Sequence, residues 1–157
     1  MLLESLTGLV IFFIALTVMI LVVPRELIKE YFGIGLVGGA ITALILVYTM
    51  QTILNLWRFV NVDFLRVYDI PLFLSAAWFP IIIIFSYLIN KYRQTISNLV
   101  ILLSFPLGAA VLHYFMIYFK MLIYHNWSLL FTYLVSLTIH FGIMRYLYIR
   151  DRTENHN

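Results

Sequence analysis

The chain has 157 residues, of which 64% are hydrophobic and only 11% charged, with a formal net charge of +3. Soluble domains carry roughly 45–50% apolar and about 25% charged residues, and a globule of this size buries at most about 70% of its unfolded surface, so the surplus apolar area has to face lipid. The absence of cysteine excludes disulfides, thiolate metal sites and cysteine nucleophiles, and the ten Lys and Arg are scattered between apolar runs instead of forming the stripe a nucleic-acid partner needs.

The first apolar run, Leu6 to Val23, is about the 18 residues that a hydrocarbon core of roughly 30 Å requires at 1.5 Å per residue. Glu4 precedes it and Pro24-Arg25-Glu26 follows, with neither a positive n-region nor a small-residue cleavage site, so a retained first span is expected over residues 6–23 in place of a removable signal peptide. Pro24 ends this span, and the charged turn Arg25 to Glu30 leads into a second over residues 31–55. Gly35 and Gly39 form a small-xxx-small pair there, which lets two helix backbones approach closely in lipid.

Residues Leu56 to Asp69 make the longest polar stretch. Its mixture of Trp, Tyr, Arg and Asp suits the headgroup region, and an interfacial loop or short surface helix is expected. The third span covers residues 70–87 and should kink at Pro80, because a proline ring removes a backbone donor and clashes with the preceding turn. Asn90 to Gln94 closes it. The fourth span, residues 98–119, has a second expected kink at Pro106. The turn Lys120 to Asn126 precedes the fifth span, residues 127–149, which gives way to a frayed hydrophilic tail from Arg150. Together these elements predict an all-α fold, a polytopic transmembrane helix bundle of about five spans, in one domain over residues 1–157.

With five spans, Arg25, Lys29, Lys91, Arg93, Arg145, Arg150 and Arg152 fall on one side, and Arg58, Arg66 and Lys120 on the other. The positive-inside rule then places the N-terminus outside and the C-terminus in the cytoplasm of a cell-membrane protein.

Four histidines invite a metal or haem reading. His113 and His140 differ in depth by roughly 10 Å at 1.5 Å per residue, so one haem iron does not join them, and no pair of histidines has the i, i+4 spacing of a helical zinc site. No metal and no cofactor is expected. His113 and His140 are read as hydrogen-bonding groups of the bundle interior, with ligand or proton contact as the alternative. Arg145, a little over one turn beyond His140, either snorkels to the headgroups or joins a ligand site with the two histidines.

All seven carboxylates lie near span ends or outside the spans, which speaks against proton- or cation-coupled transport through a mid-membrane acid. No G-x-S-x-G, H-E-x-x-H or phosphate-binding glycine string occurs, so no catalytic residue is assigned and an enzyme is not expected. The densest polar constellation is an outer-surface cluster of Trp57, Arg58, Asp63, Arg66, Tyr124 and His125, which the five-span topology puts on one side. Asn126 is the expected N-cap of the last span and Trp127 its interfacial anchor.

Three stretches, Leu56-Trp57-Arg58-Phe59, Ile70-Pro71-Leu72-Phe73 with Phe79-Pro80, and Tyr124-His125-Asn126-Trp127, resemble those of a family of small multi-pass membrane proteins from spore-forming Gram-positive bacteria. The resemblance runs over nearly the whole chain. Where that family has a Tyr/Phe-Pro-Val-Arg pattern, this chain has Phe59-Val60-Asn61-Val62, without the proline. The family brings no settled activity. It implies a cell-membrane location and a role linked to spore formation or germination.

The function expected first is a non-enzymatic membrane component whose partners are the bilayer and another membrane protein or a second copy of itself. The alternative is a binder or carrier of a small or lipophilic molecule in a cavity beside His113 and His140. A haem or quinone redox protein forms a third class.

Overall fold

The computed structural model describes residues 4–92 and 97–154; Arg93, Gln94 and His156, which enter the sequence reading, lie outside them. The chain folds as an all-α bundle whose helices run alternately up and down. Four of them, Arg25–Ile53, Leu72–Lys91, Ser97–Tyr118 and Leu129–Thr153, are long and apolar enough to cross a membrane. The first helix, α1 (Thr7–Val22), has 16 residues, about 24 Å at 1.5 Å per residue, and packs within the same bundle.

Val23 is extended ahead of Pro24, as the steric demand of a following proline requires. The Pro24 carbonyl accepts from the Ile28 N–H, so α2 (Arg25–Ile34) begins at once. The charged segment 25–30, expected as a turn, is therefore helical. The helix then passes through a π-helical stretch π1 (Gly35–Ile41), α3 (Thr42–Val47) and a second stretch π2 (Tyr48–Ile53). The reason lies in the spacing of its buried face: Tyr31, Gly35, Gly39, Ala43, Val47 and Gln51 recur every fourth residue. At 3.6 residues per turn such a row drifts by about 40° per step. The wider π turns remove that drift, and the row stays against its neighbours. Thr42 Oγ1 donates to the Val37 carbonyl five residues back at 2.7 Å, at the exit of π1.

The third span breaks three residues before Pro80, into α4 (Leu72–Ala76) and α5 (Trp78–Lys91), where the proline leaves the Ala76 carbonyl without its helical donor. This span is the centre of the bundle: 56% of its most apolar window is buried, against 22% for the other three. Pro106, in contrast, does not interrupt α6 (Ser97–Tyr118). The last helix, α7 (Leu129–Glu154), lies along α6 and stays helical through Arg150 to Glu154, where a frayed tail was expected.

The polar stretch after the second span holds no helix. Instead β1 (Trp57–Phe59) pairs antiparallel with β4 (Leu122–Tyr124), in the register Trp57 to Tyr124, Arg58 to Ile123 and Phe59 to Leu122. β2 (Arg66–Val67) and β3 (Ile70–Pro71) form a hairpin whose two turn residues, Tyr68 and Asp69, both have positive φ, the geometry that matches strand twist. These strands cap one end of the bundle. Buried side chains gather in two clusters, one around Ile82, Ile83, Phe85 and Leu147, the other under the cap around Trp57, Val62, Leu74 and Met116. Many large apolar side chains point outward, Leu21 at 79% exposure among them, as a lipid-facing surface requires.

Candidate functional site

Strand alternation decides which residues of the cap face inward. Trp57 and Phe59 are buried and Arg58 is exposed; opposite them Leu122 is buried and Ile123 exposed. Trp57 and Phe59 thus form a roof over the ends of α6 and α7. Beneath it lies a cavity of about 80 Å³, walled by the second span, α4, α5, α6 and α7 and lined by both His113 and His140.

Near the roof the polar lining is a closed network. His113 Nδ1 is 2.7 Å from the Tyr124 hydroxyl, which is 2.7 Å from Thr132 Oγ1. The Trp127 indole N–H can only donate and does so to Thr132 Oγ1 at 2.9 Å. The Trp57 ring stands edge-on to His113 and Trp127, with centroids 5.7 and 5.0 Å away. Burial pushes the Tyr124 phenol up from its ordinary value, so it is protonated at neutral pH and remains a donor. The indole N–H of Trp57 itself, 3% exposed, has no partner among the described residues.

Deeper in the cavity the lining continues along α7. Thr132, Ser136 and His140 stand four residues apart, all buried, on one helical face. Eight residues separate Thr132 from His140, about 12 Å at 1.5 Å per residue, so the two histidines mark the two ends of the cavity. His140 Nδ1 lies 2.7 Å from the Ser136 carbonyl. A carbonyl only accepts, so Nδ1 carries the ring proton and Nε2 is left as a bare acceptor. That Nε2 is buried without a partner among the described residues, in a ring 1% exposed and packed edge-on against Phe85 at 4.7 Å.

Arg145 does not join this site. Five residues beyond His140 is about 140° around a helix, and Arg145 is exposed on the outer side of α7. The expected outer-surface cluster also separates. Trp57 lines the cavity and Tyr124 turns inward to His113 and Thr132, Arg58 and Asp69 form an exposed ion pair at 3.7 Å, and exposed His125 meets the cap through its backbone N–H to Leu56.

Asp63, 2% exposed, has gone to a different place. One carboxylate oxygen accepts the Leu74 N–H at 2.9 Å, at the start of α4. The other faces the first turn of α1, where Gly8 leaves no room for a Cβ. There it meets the Leu9 N–H without a well-formed hydrogen bond. Arg66 Nε donates to the Asp63 backbone carbonyl at 2.9 Å. Burial raises the Asp63 carboxyl above its ordinary value, opposed by the N–H groups of Leu74 and Phe73 and by the charge of Arg66. Gln51 ties the cap down as well, accepting from the Phe59 N–H at 2.9 Å and donating to the Asp69 carbonyl at 3.0 Å.

Gly35 and Gly39 face α5. A Cβ on Gly39 would stand 2.5 Å from the Trp78 carbonyl oxygen, and one on Gly35 would stand 2.6 Å from Ile83. The final helix is capped by Ser128, whose Oγ accepts the Phe131 N–H at 3.3 Å, and not by Asn126.

Sequence reasoning had named His113 and His140 but missed Thr132, Ser136 and the free edge of Trp57. The i, i+4, i+8 row of Thr132, Ser136 and His140 in an apolar span was the readable signal for the first two. Among the described residues no group of three His, Cys, Asp or Glu could hold a metal ion. No protein-family model matches the chain, no curated protein matches it in sequence, and no solved structure matches its fold.

Proposed function

We propose that the protein is a non-enzymatic membrane component that binds a small, mainly apolar molecule inside its helix bundle, between His113 and His140. The observation that carries this reading is an apolar cavity lined by both histidines, one of which, His140, keeps a buried Nε2 without a partner among the described residues. An unpaired buried acceptor in that setting costs about 1–3 kcal/mol, which a donor brought in by a ligand recovers. Association with other membrane proteins has less support, because Gly35 and Gly39, one of the grounds for that expectation beside small size and the lack of catalytic groups, pack against α5 of the same chain. In the same reading the cap faces outward and the Arg150 end faces the cytoplasm of the cell membrane, in keeping with the distribution of Lys and Arg. A link to spore formation or germination rests on the resemblance of the three motif stretches.

The protein reports on its own cavity. Trp57 and Trp78 line it, Trp127 packs on Trp57, and the chain has no other tryptophan. Titrating detergent-solubilised protein with short 1-alkanols should give a saturable change in tryptophan emission that is at least about tenfold weaker in His140→Phe, the loss of one hydrogen bond of about 1.4 kcal/mol. A linear, unsaturable response identical in the wild type and His140→Phe would overturn the reading.

A further inference from the structure

The second span and α7 meet at one end and part at the other. Near the Arg150 end they are fastened: Arg150 pairs with Glu30 and lies over the Tyr31 ring at 5.4 Å, and a Cβ on Gly38 would stand 3.3 Å from Ile143. Toward the cap a groove of about 400 Å³ opens between them, with Ile45 and Thr49 on one wall and Thr138 on the other. Thr42, Leu46, Val135 and Ile139 line both this groove and the histidine cavity. A single layer of side chains therefore separates the cavity from the outside of the bundle.

The depth of this opening selects its solvent. Residues 42–49 and 135–139 sit well inside spans that run from 25 to 53 and from 129 to 153, so the groove faces acyl chains rather than water or headgroups. Its walls are apolar apart from threonine hydroxyls, and the Thr42 and Thr138 hydroxyls already donate to carbonyls of their own helices. The groove thus offers a place to a hydrocarbon chain, and the cavity behind it is lined by His140, whose Nε2 has no partner among the described residues.

Size narrows the head. A cavity that takes up benzene measures about 150 Å³, and this one measures about 80 Å³, so a ring head does not fit while a hydroxyl on a slim chain does. Resting on the binding reading above, we infer that the groove between the second span and α7 is a lateral doorway from the bilayer, through which a single-chain lipophilic alcohol places its hydroxyl at His140 Nε2 and leaves its tail in the groove.

The experiment compares 2-bromoethanol, smaller than benzene, with 11-bromo-1-undecanol as quenchers of tryptophan emission in detergent-solubilised protein, with 1-bromoundecane setting the background from partition into the micelle. The wild type should be quenched saturably by both alcohols and not by the bromoalkane. Thr49→Phe/Thr138→Phe, which fills the groove and leaves the cavity walls intact, should keep the short alcohol within twofold and weaken the long one at least tenfold. Should the double variant fail to fold, Ile45→Phe tests the same point from a position already 61% exposed. Equal binding of the long alcohol to the wild type and the groove-filled protein overturns the doorway while the cavity reading stands. Saturable quenching by neither alcohol removes the cavity reading itself.

Discussion

Asp63 and His140 are both polar, both buried to 2% exposure or less, and both carry an atom without a hydrogen-bond partner among the described residues. They differ in what surrounds that atom. Asp63 is enclosed by backbone: the N–H groups that open α4 and α1 converge on its carboxyl, and Gly8 is seated against it. A buried carboxyl at two helix starts accepts from donors that those helices cannot satisfy themselves, so Asp63 is part of the scaffold. His140 has one nitrogen committed to Ser136, while the other has no partner among the described residues, in a residue that lines the cavity. The contrast teaches that among buried polar groups the chemistry of the surroundings, and not burial alone, separates structural from ligand-facing roles.

The comparison is broken most forcefully at Gly8. Gly8→Ala drives a methyl into the Asp63 carboxyl and should lower stability by about 3 kcal/mol, seen as a drop in the detergent melting temperature; an unchanged melt would mean that Asp63 does not hold α1. Asp63→Ala should cost about 2 kcal/mol, because it leaves the Leu74 N–H buried and unmet.

The sign of the pH effect follows from the same site. The folded-state pKa of Asp63 is raised by burial, so its protonated form favours the folded state. The contribution is full below the unfolded value of 3.8 and is lost as pH rises through the folded value. Melting temperature should therefore rise as pH is lowered from neutrality through that window, and Asp63→Asn should flatten this part of the profile. A wild-type melt that falls along the same path, with Asp63→Asn falling in parallel, would contradict the assignment.

His140→Phe should sit at the other pole, with stability within about 1 kcal/mol of the wild type, since a ring of similar shape removes an unmet acceptor, while alcohol binding is lost. If it destabilises as much as Asp63→Ala, the two sites are of one kind and the contrast fails. Smallest is the cap of α7: Ser128→Ala should cost about 1 kcal/mol, and Asn126→Ala should leave the melt unchanged.

Apolar run lengths reported the helices well because lipid demands a minimum length of oil, and the observed helix ends fall within a few residues of the expected ones except at Arg25 and Glu154. Those two were misread because charge was equated with turn. The helices extend past the apolar core, and Glu30 and Arg150 find each other there. The cap was invisible because strands of two or three residues carry no periodicity and β1 finds its partner 65 residues later in the chain. The widened turns of the second span were readable in principle from the fourfold row that begins at Tyr31, but a row of small residues invited a search for a second helix outside the chain. His113 and His140 were picked out as intramembrane titratable groups, whereas the inward turn of Trp57 depended on pairing that nothing nearby in the sequence announces.

The pairing of β1 with β4 also sets an order of assembly. During synthesis Trp57 leaves the ribosome long before Leu122, so the roof stays open while α5 and α6 enter the membrane. The compartment around His140 is complete only when the final helix is delivered, and truncation anywhere before β4 would leave a bundle whose interior is unroofed.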